Sequence, residues 1–230
     1  MGSQIPVPYW QVNVPHSERP RECPSFLLDV SDKDRGILST LDSDYHVLGW
    51  DEVRQIVGDN RLDQFQRVPS ELRRYKAYTF NLAQTYGSIA NFILNQRLQW
   101  SMPIQARGRP FEFEEDFKII FNDWPYGIDP RILHLVVWTK FDLEEDPVTG
   151  DLTDQARKEI NDFVTRISKS HVPDDHIIWF KNWRDLKSVN AVEHFHIMMF
   201  NPDPDFVRAV TNGDIQQCQF FESQSRKSVG

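Results

Sequence analysis

Residues 176–200 read HIIWFKNWRDLKSVNAVEHFHIMMF. Two short apolar runs, His176–Lys181 and Glu193–Phe200, flank a polar loop, and each has the length and composition of a buried strand. Side chains alternate along a strand, so His194, His196, Met198 and Phe200 share one face while Glu193, Phe195, Ile197 and Met199 share the other. Two imidazoles on one face of one strand can act on a single ligand. The loop between the runs carries Lys181, Asn182, Trp183, Arg184, Lys187 and Ser188, a dense set of groups that bind anions or stack on rings.

Working outward, residues 132–141 add a further strand, His134 to Phe141, with His134, Val136, Trp138 and Lys140 on one face. Phe117–Phe121 is another. Between them, Asn122-Asp123-Trp124-Pro125-Tyr126-Gly127-Ile128-Asp129-Pro130-Arg131 is a tight loop that displays two carboxylates, two aromatics and an arginine. Thr153 to about Ser170 has the apolar spacing of an amphipathic helix, and Asp203–Val210 forms a last helix. On the N-terminal side, short helices are expected from Asp32 to about Leu41 and from Trp50 to Gly58. The longest helical signal runs from Pro69 to Trp100, with a kink or close packing at Gly87-Ser88. The expected architecture is one α+β domain over 31–212: a helical N-terminal half packed on a small mixed β-sheet from the C-terminal half. Residues 1–30, with five prolines, read as an extended arm, and 213–230 as a polar, frayed tail.

The 230 residues are 40% apolar and 13% aromatic, enough for a sizeable core, and the net charge is −8. The charge is uneven. From Arg54 to Arg109 nine Lys/Arg face three Asp/Glu, a local +6 that leaves −14 for the rest. Such sign separation suits a surface facing a polyanion, with Arg61, Arg73, Arg74, Lys76 and Arg97 as its nucleic-acid-binding candidates. The competing reading is a helix whose solvated face is rich in arginine. Cys23 and Cys218 form no CxxC or zinc cluster, which fits a reduced intracellular protein. Neither a transmembrane run nor a signal peptide is present, so a cytoplasmic protein without membrane association is expected.

No GxxxxGK[ST], GxGxxG or GxSxG occurs, so P-loop, dinucleotide and α/β-hydrolase chemistry fall away and no cofactor is expected. His194-Phe195-His196 reads in three ways: buried hydrogen-bonded imidazoles, acid–base groups, or a metal pair completed by His134, His176, Asp123 or Glu193. Lys140 and Lys181 are surface lysines or anion and oxyanion donors. Asp123, Asp129 and Glu193 can pair with a guanidinium or ammonium.

The strings NDWPYGIDPRILHLVVWTKF (122–141), WFKNWRDLKSVNAVEHFHIMMFNPDP (179–204) and NRLDQFQRVPSELRRYKAYTFNLAQTYGSIANFIL (60–94) resemble the fungal N-acetylglucosamine-induced protein family. The likeness runs over residues 45 to 212. That family, formerly a domain of unknown function, includes arginine-containing cyclodipeptide synthases, which join amino acids taken from aminoacyl-tRNAs. The resemblance therefore implies arginyl-tRNA and a second aminoacyl-tRNA as partners, with metal none. In this setting His194, His196, Glu193 and Lys181 are the catalytic candidates. Asp123, Trp124, Tyr126, Asp129, Arg131, Lys140, Trp183 and Ser188 are the substrate-binding ones. Two further classes stay open: a binding or regulatory protein that stacks a sugar or sugar phosphate on Trp124, Tyr126 and Trp183, and a metal-dependent hydrolase using the HxH pair.

Overall fold

A computed structural model describes residues 7–183, 186 and 189–221. The strand expected at Glu193–Phe200 forms over those bounds (β4) and lies inside the sheet. Taken in chain order, the strands are β1 (Phe117–Phe121), β2 (Ile132–Thr139), β3 (Ile177–Phe180) and β4, and their spatial order is β1-β2-β4-β3. Opposite His196 stand Val136 on β2 and Phe180 on β3. Every hydrogen-bonded strand pair is antiparallel. This corrects the expected mixed sheet. The helix Asp154–Ser168 (α5) links β2 to β3, which run parallel to each other, but β4 occupies the slot between them as in a split βαβ unit.

Each face of the sheet is covered. On one face Leu135, Val137, Phe195, Ile197 and Met199 meet Ala156, Ile160, Phe163 and Val164 of α5. The Thr153 hydroxyl starts α5 by accepting the amide of Ala156, and Phe111 stacks on Phe163 with ring centres 4.3 Å apart. The other face carries the histidines. Its β1 side, with Ile120, Val136 and Trp138, is covered by Leu82, Phe92, Leu94 and Leu98. Its β3 side, with Met198 and Phe180, is covered by Val53 and Ile56 of the helix Trp50–Gly58 (α2), and by Leu62 and Phe65.

The long helix expected from Pro69 to Trp100 is interrupted. Helix α3 (Pro69–Tyr86) ends at Gly87, whose φ of 78° is left-handed. Ser88 then caps a new turn, α4 (Ile89–Phe92), by accepting the amide of Asn91, and a π-helical stretch Ile93–Leu98 follows. Gly87-Ser88 thus acts as a helix stop followed by a helix start, because glycine meets no Cβ penalty at positive φ and serine satisfies an otherwise unpaired amide.

The described part of the arm is not extended. Pro8, Pro15 and Pro24 each open a short 3-10 turn, and Leu27 is fully buried with Val30, Leu38 and Leu72. Leu38 closes the helix Asp32–Leu38 (α1). The tail is likewise docked as far as Phe221, which packs edge-on against Tyr78 and Trp124 beyond the last strand-following helix Pro204–Val210 (α6). Among the described residues no helix is long and apolar enough to cross a membrane.

Candidate functional site

Two sets of helices cover the histidine face. Between them lies a cleft of about 430 Å³, within the range that takes a small molecule. Its buried floor includes His194, His196, Val136 and Trp138, and its exposed edge includes Lys33 and Asp63. Loop 122–131 forms one wall. Gly127 donates its amide to Gln66 O, and the Tyr45 hydroxyl donates to Gln66 O and lies 3.3 Å from Gly127 O. Arg67 donates through Nε and Nη2 to Trp124 O at 3.1 and 3.0 Å, while its guanidinium lies 4.0 Å from the centre of the Tyr75 ring.

The floor carries a chain of hydrogen bonds. Asn182 Nδ2 donates to His196 Nε2 at 3.0 Å, so His196 holds its proton on Nδ1 and donates it to His134 Nε2, also at 3.0 Å. Asn122 Nδ2 stands almost equally far from both ring nitrogens of His134, 3.2 and 3.3 Å, a position over the ring face. His134 is held neutral: burial pushes its pKa down to about 3, with the charge of Arg67 adding to the effect. His194 donates from Nδ1 to Val192 O at 2.9 Å, which makes Nε2 its basic nitrogen, and its ring lies 4.3 Å from that of Trp138. Burial, with the charge of Asp123 adding, pushes the Tyr78 hydroxyl up, so it stays a protonated donor. Imidazoles walled by aromatic rings can take a proton from an amine or hydroxyl and return it to a leaving group.

Of the candidate site residues named from the sequence, the cleft gathers His194, His196, Asp123, Trp124, Tyr126 and Lys76. The catalytic candidates Glu193 and Lys181 are on the opposite face, where the Lys181 ammonium pairs with Glu145 and lies 3.4 Å from Glu193. Strand alternation separates them from the histidines. Lys140 sits over the Trp100 ring, 5.3 Å from its centre. Asp129 and Arg131 grip each other, and hydrogen bonds from the Arg131 side chain and amide hold the Asp129 carboxyl down at about 2. Trp183 is 41% exposed outside the cleft lining, and Ser188 lies outside the described residues.

Asp123 already holds a guanidinium, and it is the chain's own. Arg97 donates to it through Nε and Nη2 at 2.9 and 2.7 Å. Burial pushes the Asp123 carboxyl up to about 6 in spite of that partner. Arg97 is 8% exposed and so leaves the proposed basic surface. The other candidates of that surface are engaged as well. Arg73 donates to Trp10 O at 2.7 Å and lies over Phe26; Arg74 pairs with Glu71, Lys76 with Asp34 and Arg61 with Asp59. The polar face of α3 is laid against the arm and α1 instead of forming an open cationic stripe. The HxH pair is likewise committed to Val192 O, His134 and Asn182. Among the described residues no group of three or more metal-ligating side chains converges.

Arg67, Tyr75, Tyr78, Asn122, Trp138 and Asn182 complete the cleft lining or its floor network. The face shared by His134 and Trp138 was one available signal; pairing it in register with the His194–His196 face would have joined the two.

The family described as "Protein of unknown function (DUF3605)" matches residues 49–200. The chain belongs to the DUF3605 family. That span runs from the N-cap of α2 to the end of β4 and holds the whole sheet and the histidine floor. The chain is 25% identical over 185 residues to N-acetylglucosamine-induced protein 1 of Candida albicans, covering 71% of this chain and 72% of that one. It is also 25% identical over 159 residues to the uncharacterized protein YPL067C of Saccharomyces cerevisiae, covering 66% and 79% respectively. The fold is similar to that in "Crystal Structure of HTC1", with a TM-score of 0.59 at 22% identity over 72% of this chain and 94% of that one. The arm, α1 and the docked tail lie outside the DUF3605 span.

Proposed function

We propose that this DUF3605 chain is an enzyme of aminoacyl transfer, which makes an arginine-containing cyclic dipeptide from two aminoacyl-tRNAs. The observation that carries the reading is the floor of hydrogen-bonded imidazoles at the bottom of a small-molecule cleft. Forming the first peptide bond requires the amine of one aminoacyl ester to attack the carbonyl of the other, with a proton leaving the amine and one returning to the departing ribose oxygen. A second, intramolecular attack closes the ring and releases the second tRNA. An imidazole lone pair suits both transfers, and His194 is the base, because its Nδ1–H is held by Val192 O, which makes Nε2 its basic nitrogen. The ester is already activated, in keeping with a sequence that holds no nucleotide-binding loop. Since Asp123 holds Arg97 and Asp34 holds Lys76, the lining carboxylate that suits a substrate guanidinium is Asp63. The tRNA partners rest on the resemblance to the cyclodipeptide synthases alone, and a cytoplasmic location on a sequence with two scattered cysteines and no long apolar run.

A sugar-stacking role is less well supported at Trp124, which is 2% exposed and packed against Tyr78 and Phe221. The test supplies tRNA, arginine, the other amino acids, ATP and the matching synthetases, and looks for product by mass. Product is expected, and is expected to vanish with ribonuclease or without arginyl-tRNA synthetase. No cyclic product with charged tRNA confirmed overturns the reading.

A further inference from the structure

Two arginines of this chain are held alike on one edge and differ on the other. Arg97 uses Nε and Nη2 on Asp123, and Nη1 and Nη2 on Asp214, so both edges of its guanidinium fork hold a carboxylate. Arg67 uses Nε and Nη2 on Trp124 O, at 3.1 and 3.0 Å. Among the described residues its Nη1–Nη2 edge has no second partner, and Nη1 is not a buried atom. The guanidinium lies 4.0 Å from the centre of the Tyr75 ring and 5.5 Å from that of Tyr126. Trp124, Tyr75 and Tyr126 all line the histidine cleft, as Arg67 does, so the open edge belongs to the cleft. The other charged side chains of the lining are matched or lie at the mouth. Asp34 pairs with Lys76 and Asp123 with Arg97, while Lys33 and Asp63 are exposed. Arg67 is half-buried, and what it holds is a carbonyl. A carbonyl accepts the hydrogen bonds but leaves the positive charge in place, and a charge drawn out of water is costly until an opposite charge meets it.

We propose that the Nη1–Nη2 edge of Arg67 binds an anion with two oxygens on one centre, a phosphate or a carboxylate, carried by a small molecule in the cleft. Each edge of a guanidinium matches the spacing of two such oxygens, as Asp214 shows at Arg97. The Trp124 carbonyl fixes the fork before a ligand arrives, so little side-chain freedom is lost on binding. Val136 and Trp138 on the cleft floor suit an apolar or flat body attached to the anion. The inference rests on the fork of Arg67 and not on the reading under Proposed function. Under that reading the arginine carboxyl is tied up in its ester, so the anion that reaches Arg67 is the phosphate of the terminal nucleotide.

The test titrates the full chain by calorimetry with two matched pairs: adenosine 5′-monophosphate against adenosine, and benzoate against benzamide. In at least one pair the anionic member is expected to bind about tenfold tighter than its neutral counterpart, or more. Arg67→Gln should abolish that difference. Arg67→Lys should restore only part of it, because an ammonium offers no two-pronged edge. A difference in the phosphate pair, the carboxylate pair or both supports the site and names its ligand. Equal binding within each pair, or a difference that persists in Arg67→Gln, overturns it. Arg67 also ties loop 122–131 through Trp124 O, so a second measurement needs no variant. In wild type with ¹⁵N-labelled arginine, the Nε–H signal of Arg67, recognised by its contact with the Tyr75 ring, should move with an anionic probe and not with its neutral counterpart. A signal that stays put, or moves alike within each pair, overturns the inference. Phosphate binding at Arg67 in a protein that makes no cyclic dipeptide leaves this inference standing and sinks the reading under Proposed function.

Discussion

Asp214 reaches back to Arg97, 117 positions earlier, with Oδ1 2.7 Å from Nη1 and Oδ2 2.9 Å from Nη2. Burial works against the Arg97 charge, and the two carboxylates of Asp123 and Asp214 more than offset it. Asp214 Oδ2 also accepts the amide of Phe121 at 2.9 Å, so one tail carboxylate ties the π-helical stretch to β1. Asp214→Ala leaves a buried guanidinium half-paired and that amide open. A loss of about 3–5 kcal/mol is expected in urea unfolding. A midpoint unchanged from wild type would show that the tail is not part of the folded unit.

The pH dependence of stability should carry the mark of His134. Its native pKa is about 3, against 6.5 for the free group, so below pH 6.5 the unfolded chain binds more protons. Its contribution is complete above pH 6.5 and is lost as pH falls toward 3, by up to about 1.4 kcal/mol per pH unit. Asp123 acts in the other sense: raised to about 6 from 3.8, it adds stability as pH falls through that window. His134→Gln isolates the first effect. The advantage of wild type over the variant should shrink from pH 6.5 to 4, and a constant difference would refute the burial argument.

His194→Gln should lower kcat by about a hundredfold or more in the cyclic dipeptide assay, with KM changed only a few-fold. His196→Ala should instead act on stability, with a loss of about 1–3 kcal/mol, because His134 and Asn182 both lose a buried partner. Full activity in His194→Gln would remove His194 from the chemistry.

Gly127 is set by close approach. A Cβ there would lie 2.4 Å from the ring and hydroxyl of Tyr45, the residue that ties loop 122–131 to Gln66. Gly127→Ala should cost about 1–3 kcal/mol by overpacking, and shortening Tyr45 to Ala in the same chain should recover part of the clash. Thermal melts of the two variants decide it; additive losses would argue against a shared contact.

The double variant Arg73→Glu, Arg74→Glu should loosen the arm, seen as faster proteolysis between residues 11 and 25, because Arg73 holds Trp10 O and covers Phe26. With those charges already engaged, the salt dependence of tRNA binding should hardly change. A slope reduced by about two with the arm intact would return α3 to the RNA surface.

Much of the local architecture could be read from short stretches of chain. The bounds of α2 and β4, the Thr153 cap of α5 and the proline opening of α6 depend on neighbours a few residues away, where backbone sterics and capping decide. Strand alternation also placed Glu193 opposite His194 and His196 before any tertiary contact was known. The cleft was only partly legible, since it brought together six of the candidates and left Lys181, Lys140, Asp129 and Arg131 elsewhere. Tertiary structure alone decided that His196 bonds to His134, 62 positions away, that Arg97 is buried between two carboxylates, and that β4 enters between β2 and β3. Composition marked Arg97 as basic surface because charge is a property of the residue. Its burial is a property of the Asp123 and Asp214 carboxylates that packing delivers to it, and nothing near Arg97 in the chain encodes their arrival.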